Sequence, residues 1–134
     1  MNKIEAIIKE IQESDTVHVV TFDAKNEEFT MMALELPNRV KEGAKVTLGI
    51  KPSFVLIAKS KSKDISLTNQ IDALITDIEV GKLLVTVKLK SQVGIFESLI
   101  TKKSYDMMSL QENQNVVVMM KASEIFIVGV RDGV

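Results

Sequence analysis

The chain contains no cysteine. Disulfides and thiolate metal sites are therefore excluded, and stability beyond the core has to come from packing of one part on another or from association. Aromatic residues make up only 4% of the sequence and the net charge is −1. A general nucleic-acid binder relies on phosphate attraction and base stacking, and this chain is poor in the means for both. No apolar run approaches the roughly 20 residues of a membrane span. The opening Met1-Asn2-Lys3-Ile4-Glu5 carries an acid and no continuous apolar segment, unlike a secretory signal. The expectation is a cytoplasmic protein with neither nucleic acid nor membrane as partner. Nothing resembles a nucleophile with its base, a metal-ligand cluster or a phosphate-binding glycine loop, so no catalytic residue and no metal ligand is assigned and an enzyme is not expected. The lone His18 aligns with Val85 and reads as structural.

What the chain does have is a repeat. Ile50-Lys51-Pro52-Ser53-Phe54-Val55-Leu56-Ile57 returns as Met120-Lys121-Ala122-Ser123-Glu124-Ile125-Phe126-Ile127, 70 positions later. Earlier in the chain the offset is 67, matching Asn2 to Asn69, Ile4 to Ile71, Val20 to Val87 and Phe29 to Phe96. The second copy therefore holds three extra residues between Phe96 and Glu112, near the polar Lys102-Lys103-Ser104-Tyr105-Asp106. Each copy places a lysine and a serine two positions apart at the entry to its last apolar run. In an extended strand such a pair points to one side, and both groups can hydrogen-bond an anion.

Strand signals dominate both copies. Ile4, Ile7, Ile8 and Ile11 stand at helical spacing, but their counterpart Leu74-Ile75-Thr76-Asp77-Ile78 is rich in β-branched residues and reads as a strand. Each copy opens with a hairpin, then a third strand (Glu28 to Leu34; Ile95 to Thr101), then a compact helical segment (Pro37 to Lys41; Ser104 to Leu110, with Ser104 as N-cap). Gly43 and Asn113 suit the left-handed conformation that closes a helical turn. Fourth strands lead into the lysine-serine segments and the last strands. The predicted fold is all-β: two tandem five-stranded OB-like barrels, each with one short helix, in residues 1–59 and 66–134 with a polar linker at 60–65. Units of roughly 60 to 70 residues are marginal alone, and with 46% hydrophobic residues and seven methionines the chain is expected to bury an intersubunit interface.

Ser66-Leu67-Thr68-Asn69-Gln70-Ile71, the hairpin after it, Phe96-Glu97-Ser98-Leu99-Ile100-Thr101 and the closing Lys121-Ala122-Ser123 resemble the molybdenum-pterin-binding (Mop) or molbindin domain of the wider TOBE group. Such domains usually open with Ser-Ala-Arg-Asn-Gln and close with Lys-Ala-Ser, and the second copy is the closer match. The resemblance implies an OB-like barrel per copy, a trimer of two-domain chains, and cytoplasmic binding and storage of molybdate or tungstate where the opening segment of one domain meets the closing segment of another. Carried over, the oxyanion-binding residues are Ser66, Asn69, Lys121, Ala122 and Ser123 in copy two, with Asn2, Lys51 and Ser53 in copy one. Thr68 stands where the family has arginine, leaving one hydroxyl in place of a charged multi-donor group. Met1 occupies that position in copy one, and Pro52 replaces the alanine and deletes a backbone N–H. The alternative function is an oxyanion-sensing module that acts through a partner protein.

Overall fold

The computed structural model describes residues 1–131. Its strands are β1 (Asn2–Ser14), β2 (Val17–Ala24), β3 (Glu27–Ala33), β4 (Lys45–Ile50), β5 (Val55–Ala58), β6 (Asn69–Val80), β7 (Leu84–Ser91), β8 (Gly94–Thr101), β9 (Asn115–Met120) and β10 (Phe126–Arg131). One α-helix, α1 (Lys102–Met108), follows β8, and short 3-10 turns at Pro52–Phe54 and Ala122–Glu124 precede β5 and β10.

The two-residue period decides the long strands. In β1 the residues Asn2, Ile4, Ala6 and Ile8 face inward while Lys3, Glu5, Ile7 and Lys9 are exposed, and β6 buries Asn69, Ile71, Ala73 and Ile75 in the same way. The helical spacing of the isoleucines is thus overridden. Both strands slip register once, between Ile8 and Glu10 and between Ile75 and Asp77. A bulge of this kind bends a strand and raises its twist, which lets each sheet curl into an OB-like half-barrel. His18 sits on β2 opposite Glu13, with Nε2 3.3 Å from the Glu13 carboxylate.

Both sheets are antiparallel and five-stranded, in the orders β10-β4-β1-β2-β3 and β5-β9-β6-β7-β8. Neither is built from one half of the sequence. β10 comes from the second half and pairs with β4 (Phe126↔Gly49, Arg131↔Lys45), while β5 comes from the first half and pairs with β9 (Val55↔Met120, Ala58↔Val117). Gly49 makes room for the incoming strand: a Cβ there would stand 2.8 Å from Val128 Cγ2 and 2.9 Å from Phe126 Cζ. The two halves exchange closing strands, and the buried side chains merge into one cluster that runs from Ile4, Phe22 and Leu48 to Ile71, Val87 and Val118. Small units that each lack a sufficient core gain one by sharing it.

The expectation of a helix in each unit is corrected. Only the second half has one among the described residues, and its N-cap is Thr101, which accepts from the Ser104 N–H at 3.1 Å, not Ser104 itself. In the first half residues 34–44 form turns. Pro37 disfavours helical geometry at Leu36 and brings no N–H, and the segment is three residues shorter than its counterpart. Gly43 and Asn113 do take positive φ, +86° and +67°, but they close the turns that lead into β4 and β9, whereas α1 ends at Ser109 with φ 52°.

Candidate functional site

The inward face of β1 and of β6 begins with an asparagine, and a buried amide left without partners costs about 1–3 kcal/mol. Each finds an edge-strand partner in the opposite half. Asn2 Nδ2 donates to the Glu97 carbonyl at 2.9 Å and Asn2 Oδ1 accepts from the Glu97 N–H at 2.8 Å. Asn69 treats Thr30 alike, donating at 2.8 Å and accepting at 2.7 Å, and also donates to the Met120 carbonyl at 3.0 Å. Thr30 and Glu97 are themselves repeat equivalents, on the edge strands β3 and β8. An edge strand has backbone groups with no ladder partner, and the asparagine amides complete one pair on each.

The lysine-serine segments lie beside these clamps. Asn2 pairs with Ile50 and Asn69 with Met120 as the last rungs of their ladders, so the next residues outward are Met1 and Lys51 at one place, Thr68 and Lys121 at the other. Lys51 (φ −71°, ψ 145°) and Lys121 (φ −73°, ψ 134°) have the same extended backbone, and their carbonyls accept from the Phe54 and Glu124 N–H groups, both at 2.9 Å. The Pro52–Phe54 turn packs on β8 and the Ala122–Glu124 turn on β3. The exchange of closing strands thus builds two equivalent clusters, each with contributions from both halves.

Residues 65–127 match the TOBE domain model. The match begins beside Ser66 and ends beyond Ser123, so both segments of the second cluster lie inside it. In fold, the chain is similar to a crystal structure of the cytoplasmic molybdate-binding protein ModG with molybdate bound. The TM-score is 0.87 at 20% sequence identity, over 94% of this chain and 94% of that one. None of the curated proteins matches this chain.

In the second half, Lys121, Ser123, Ser66 and Thr68 are exposed and Ala122 is half-buried. Lys51 and Ser53 are equally exposed in the first half. The exposed groups at the Asn69–Met120 ladder end are therefore the Lys121 ammonium, the Thr68 and Ser123 hydroxyls and the N–H groups at the start of a 3-10 turn, which have no partner inside the turn itself. Asn2 and Asn69 are committed to backbone and act by holding β3 and β8 against the turns. In the first cluster Pro52 has no N–H to offer, Met1 has no donor side chain, and Glu97 brings a carboxylate to the strand where the second cluster has Thr30.

Gln70 carries a role that the sequence reading did not assign. Its side-chain amide accepts from the Ser62 N–H at 2.9 Å and donates to the carbonyls of Ser62 at 2.8 Å and Leu67 at 2.5 Å. It pins the connection that carries Ser66 against β6. Ser123 also opens onto a groove of about 640 Å³ lined by Val17, Met32, Leu34 and Phe126, all four of them exposed apolar side chains. Among the described residues no group of three or more His, Cys, Asp or Glu is placed to hold a metal ion, and no helix is long and apolar enough to cross a membrane.

Proposed function

We propose that the chain is a tandem Mop-type protein that binds molybdate or tungstate reversibly in the cytoplasm and stores it without catalysis. The observation that carries this reading is the meeting of Thr68, Asn69 and the Lys121-Ala122-Ser123 turn at one ladder end, on a TOBE-type frame closed by β3 of the other half. A dianion leaving water must have its hydration shell replaced by several donors and some positive charge. Lys121 supplies the charge, Ser123, Ser66 and Thr68 supply hydroxyls, and the turn at Ala122 supplies backbone N–H groups in the manner of an anion nest. Molybdate is unprotonated at neutral pH, so a cluster in which donors outnumber the one acid of the turn, Glu124, suits it better than it suits phosphate, whose protons require acceptors. The likeness in fold to a protein crystallised with molybdate supports the same choice.

The modules in sequence are residues 1–59 and 66–134, with 60–65 between them. The second cluster is the stronger site and the one at Asn2, Lys51 and Ser53 the weaker. The apolar groove beside Ser123 suits burial against a neighbouring chain, which supports a homo-oligomer, a trimer of two-domain chains, with oxyanions held at its interfaces. Isothermal titration of the assembled protein tests the reading. Saturable heat with molybdate or tungstate is the expected result, with sulfate as the size comparison; no heat with any of the three would overturn it.

A further inference from the structure

A second anion-attracting feature lies away from the clusters, on the turns between β3 and β4. Arg39, Lys41 and Lys45 line a cavity of about 560 Å³ together with Arg131 and Val130 from the exchanged strand β10. None of its lining residues is acidic, in a chain whose net charge is −1. Of the neighbouring carboxylates, Glu5 pairs with Arg131 Nε at 2.6 Å at the cavity wall, and Glu42 turns away to accept from the Ile11 N–H at 3.2 Å. Arg131 also donates to the Ala6 carbonyl at 3.3 Å, so its guanidinium is fixed in place. Among the described residues the ammonium groups of Lys41 and Lys45 have no ion-pair partner.

The repeat provides an internal control. The positions equivalent to Arg39, Lys41 and Lys45 are Ser109, Gln111 and Asn115, all neutral. The ion pair survives in both halves, as Arg131 with Glu5 and as Lys61 with Asp72, but the cationic turn belongs to the first half alone. It is therefore not a by-product of the shared fold. The cavity is far larger than a tetrahedral oxyanion requires and within the usual span of small-molecule sites, about 300–1,000 Å³. At Asn38 and Arg39 it adjoins a second groove of about 480 Å³, whose far wall of Pro37, Ile127, Val128 and Val130 is apolar.

We infer that this cavity binds a small organic phosphate monoester. Its phosphate lies between Lys41 and Lys45, and its organic body lies along the Pro37–Val128 groove. The ammonium groups of Lys41 and Lys45 supply the charge and donors for the phosphate, beside the Arg131 guanidinium that Glu5 and Ala6 anchor. The site is independent of the oxyanion clusters.

The test follows backbone amide NMR shifts of the full chain during titration with phenyl phosphate, a hexose phosphate and adenosine monophosphate, with inorganic phosphate as the headgroup alone. At least one ester is expected to saturate a single site per chain, moving the amides of Gly43, Ala44 and Val130, with about tenfold higher affinity than inorganic phosphate. Lys41→Gln with Lys45→Gln should weaken that ester at least tenfold, a reasonable consequence of losing two charged hydrogen bonds, and leave molybdate binding unchanged. Lys121→Ala should leave the ester's affinity unchanged. Failure of all three esters to saturate, equal affinity for inorganic phosphate, or indifference to the lysine substitutions would each overturn the assignment.

Discussion

Asn69 holds Thr30 with both atoms of its amide, donating at 2.8 Å and accepting at 2.7 Å, across the boundary between the two halves of the chain. Its equivalent Asn2 makes the same pair of bonds to Glu97 but lacks the third one, to the Met120 carbonyl, that Asn69 adds. Removing a partner from a buried polar group costs about 1–3 kcal/mol. Asn69→Ala is accordingly expected to destabilise the fold by about 3 kcal/mol and Asn2→Ala by about 2 kcal/mol. Urea unfolding of the two variants checks the order, and an Asn2 variant less stable than the Asn69 variant would contradict it.

The exchanged strands imply that neither half is complete without the other. A fragment of residues 1–64 would lack the partner of β4 that β10 provides, and its own β5 would have no β9 to pair with. Unpaired edges and exposed core are expected to leave each half non-cooperative as a monomer, whereas an equimolar mixture of 1–64 and 65–134 should recover a cooperative thermal transition. An alternative pairing is open to the second half alone, a dimer in which each copy lends the other its last strand. Sedimentation combined with thermal melts checks this, and a folded, monomeric 65–134 fragment would contradict it.

The proposed oxyanion clusters are unequal in a way that mutants can read. Lys121→Ala should weaken molybdate binding by about tenfold to a hundredfold, the range for a hydrogen bond to a charged group, and Lys51→Ala by much less. Thr68→Arg, on an exposed residue one step beyond the Asn69–Met120 rung, should strengthen binding by about tenfold by adding a charged fork of donors. Titration calorimetry on the three variants decides it. Equal losses for the two lysines would mean that Pro52, Met1 and Glu97 do not handicap the first cluster.

Much of this architecture was legible before any coordinates. The two offsets placed the strands, and the three extra residues fall where α1 forms in one half and turns form in the other. Gly43 and Asn113 take the left-handed conformation their identities suggest. The exchange of strands was not legible, because the segments Ile50 to Ile57 and Met120 to Ile127 are near copies. Either closing strand would satisfy either sheet, so local pattern cannot say which it joins. The asparagines illustrate the opposite case. Their place in a motif pointed to ligand contact, but the alternation Asn2, Ile4, Ala6, Ile8 puts them on the buried face, where an amide needs protein partners. The cationic turn left a signal too, Arg39, Lys41 and Lys45 against Ser109, Gln111 and Asn115, in the very positions where the two copies diverge.

The seam of the second sheet offers the most local test of how the barrels close. Its edges are β5 and β8, and they meet where the Ser98 hydroxyl donates to the Val55 carbonyl at 2.6 Å. Ser98 is fully buried. The equivalent residue on β3 is Met31, also buried, whose thioether has no hydroxyl to donate in the same way. Ser98→Ala leaves the Val55 carbonyl without that partner and should cost about 1–3 kcal/mol. Because β5 is only four residues long and is laddered to β9 alone, the loss should concentrate there. Amide hydrogen exchange is expected to accelerate in β5 well before β6 or β7, with the urea midpoint falling and its slope unchanged. Uniform acceleration over the whole sheet would mean that the bond supports global stability and that the seam is held by something else.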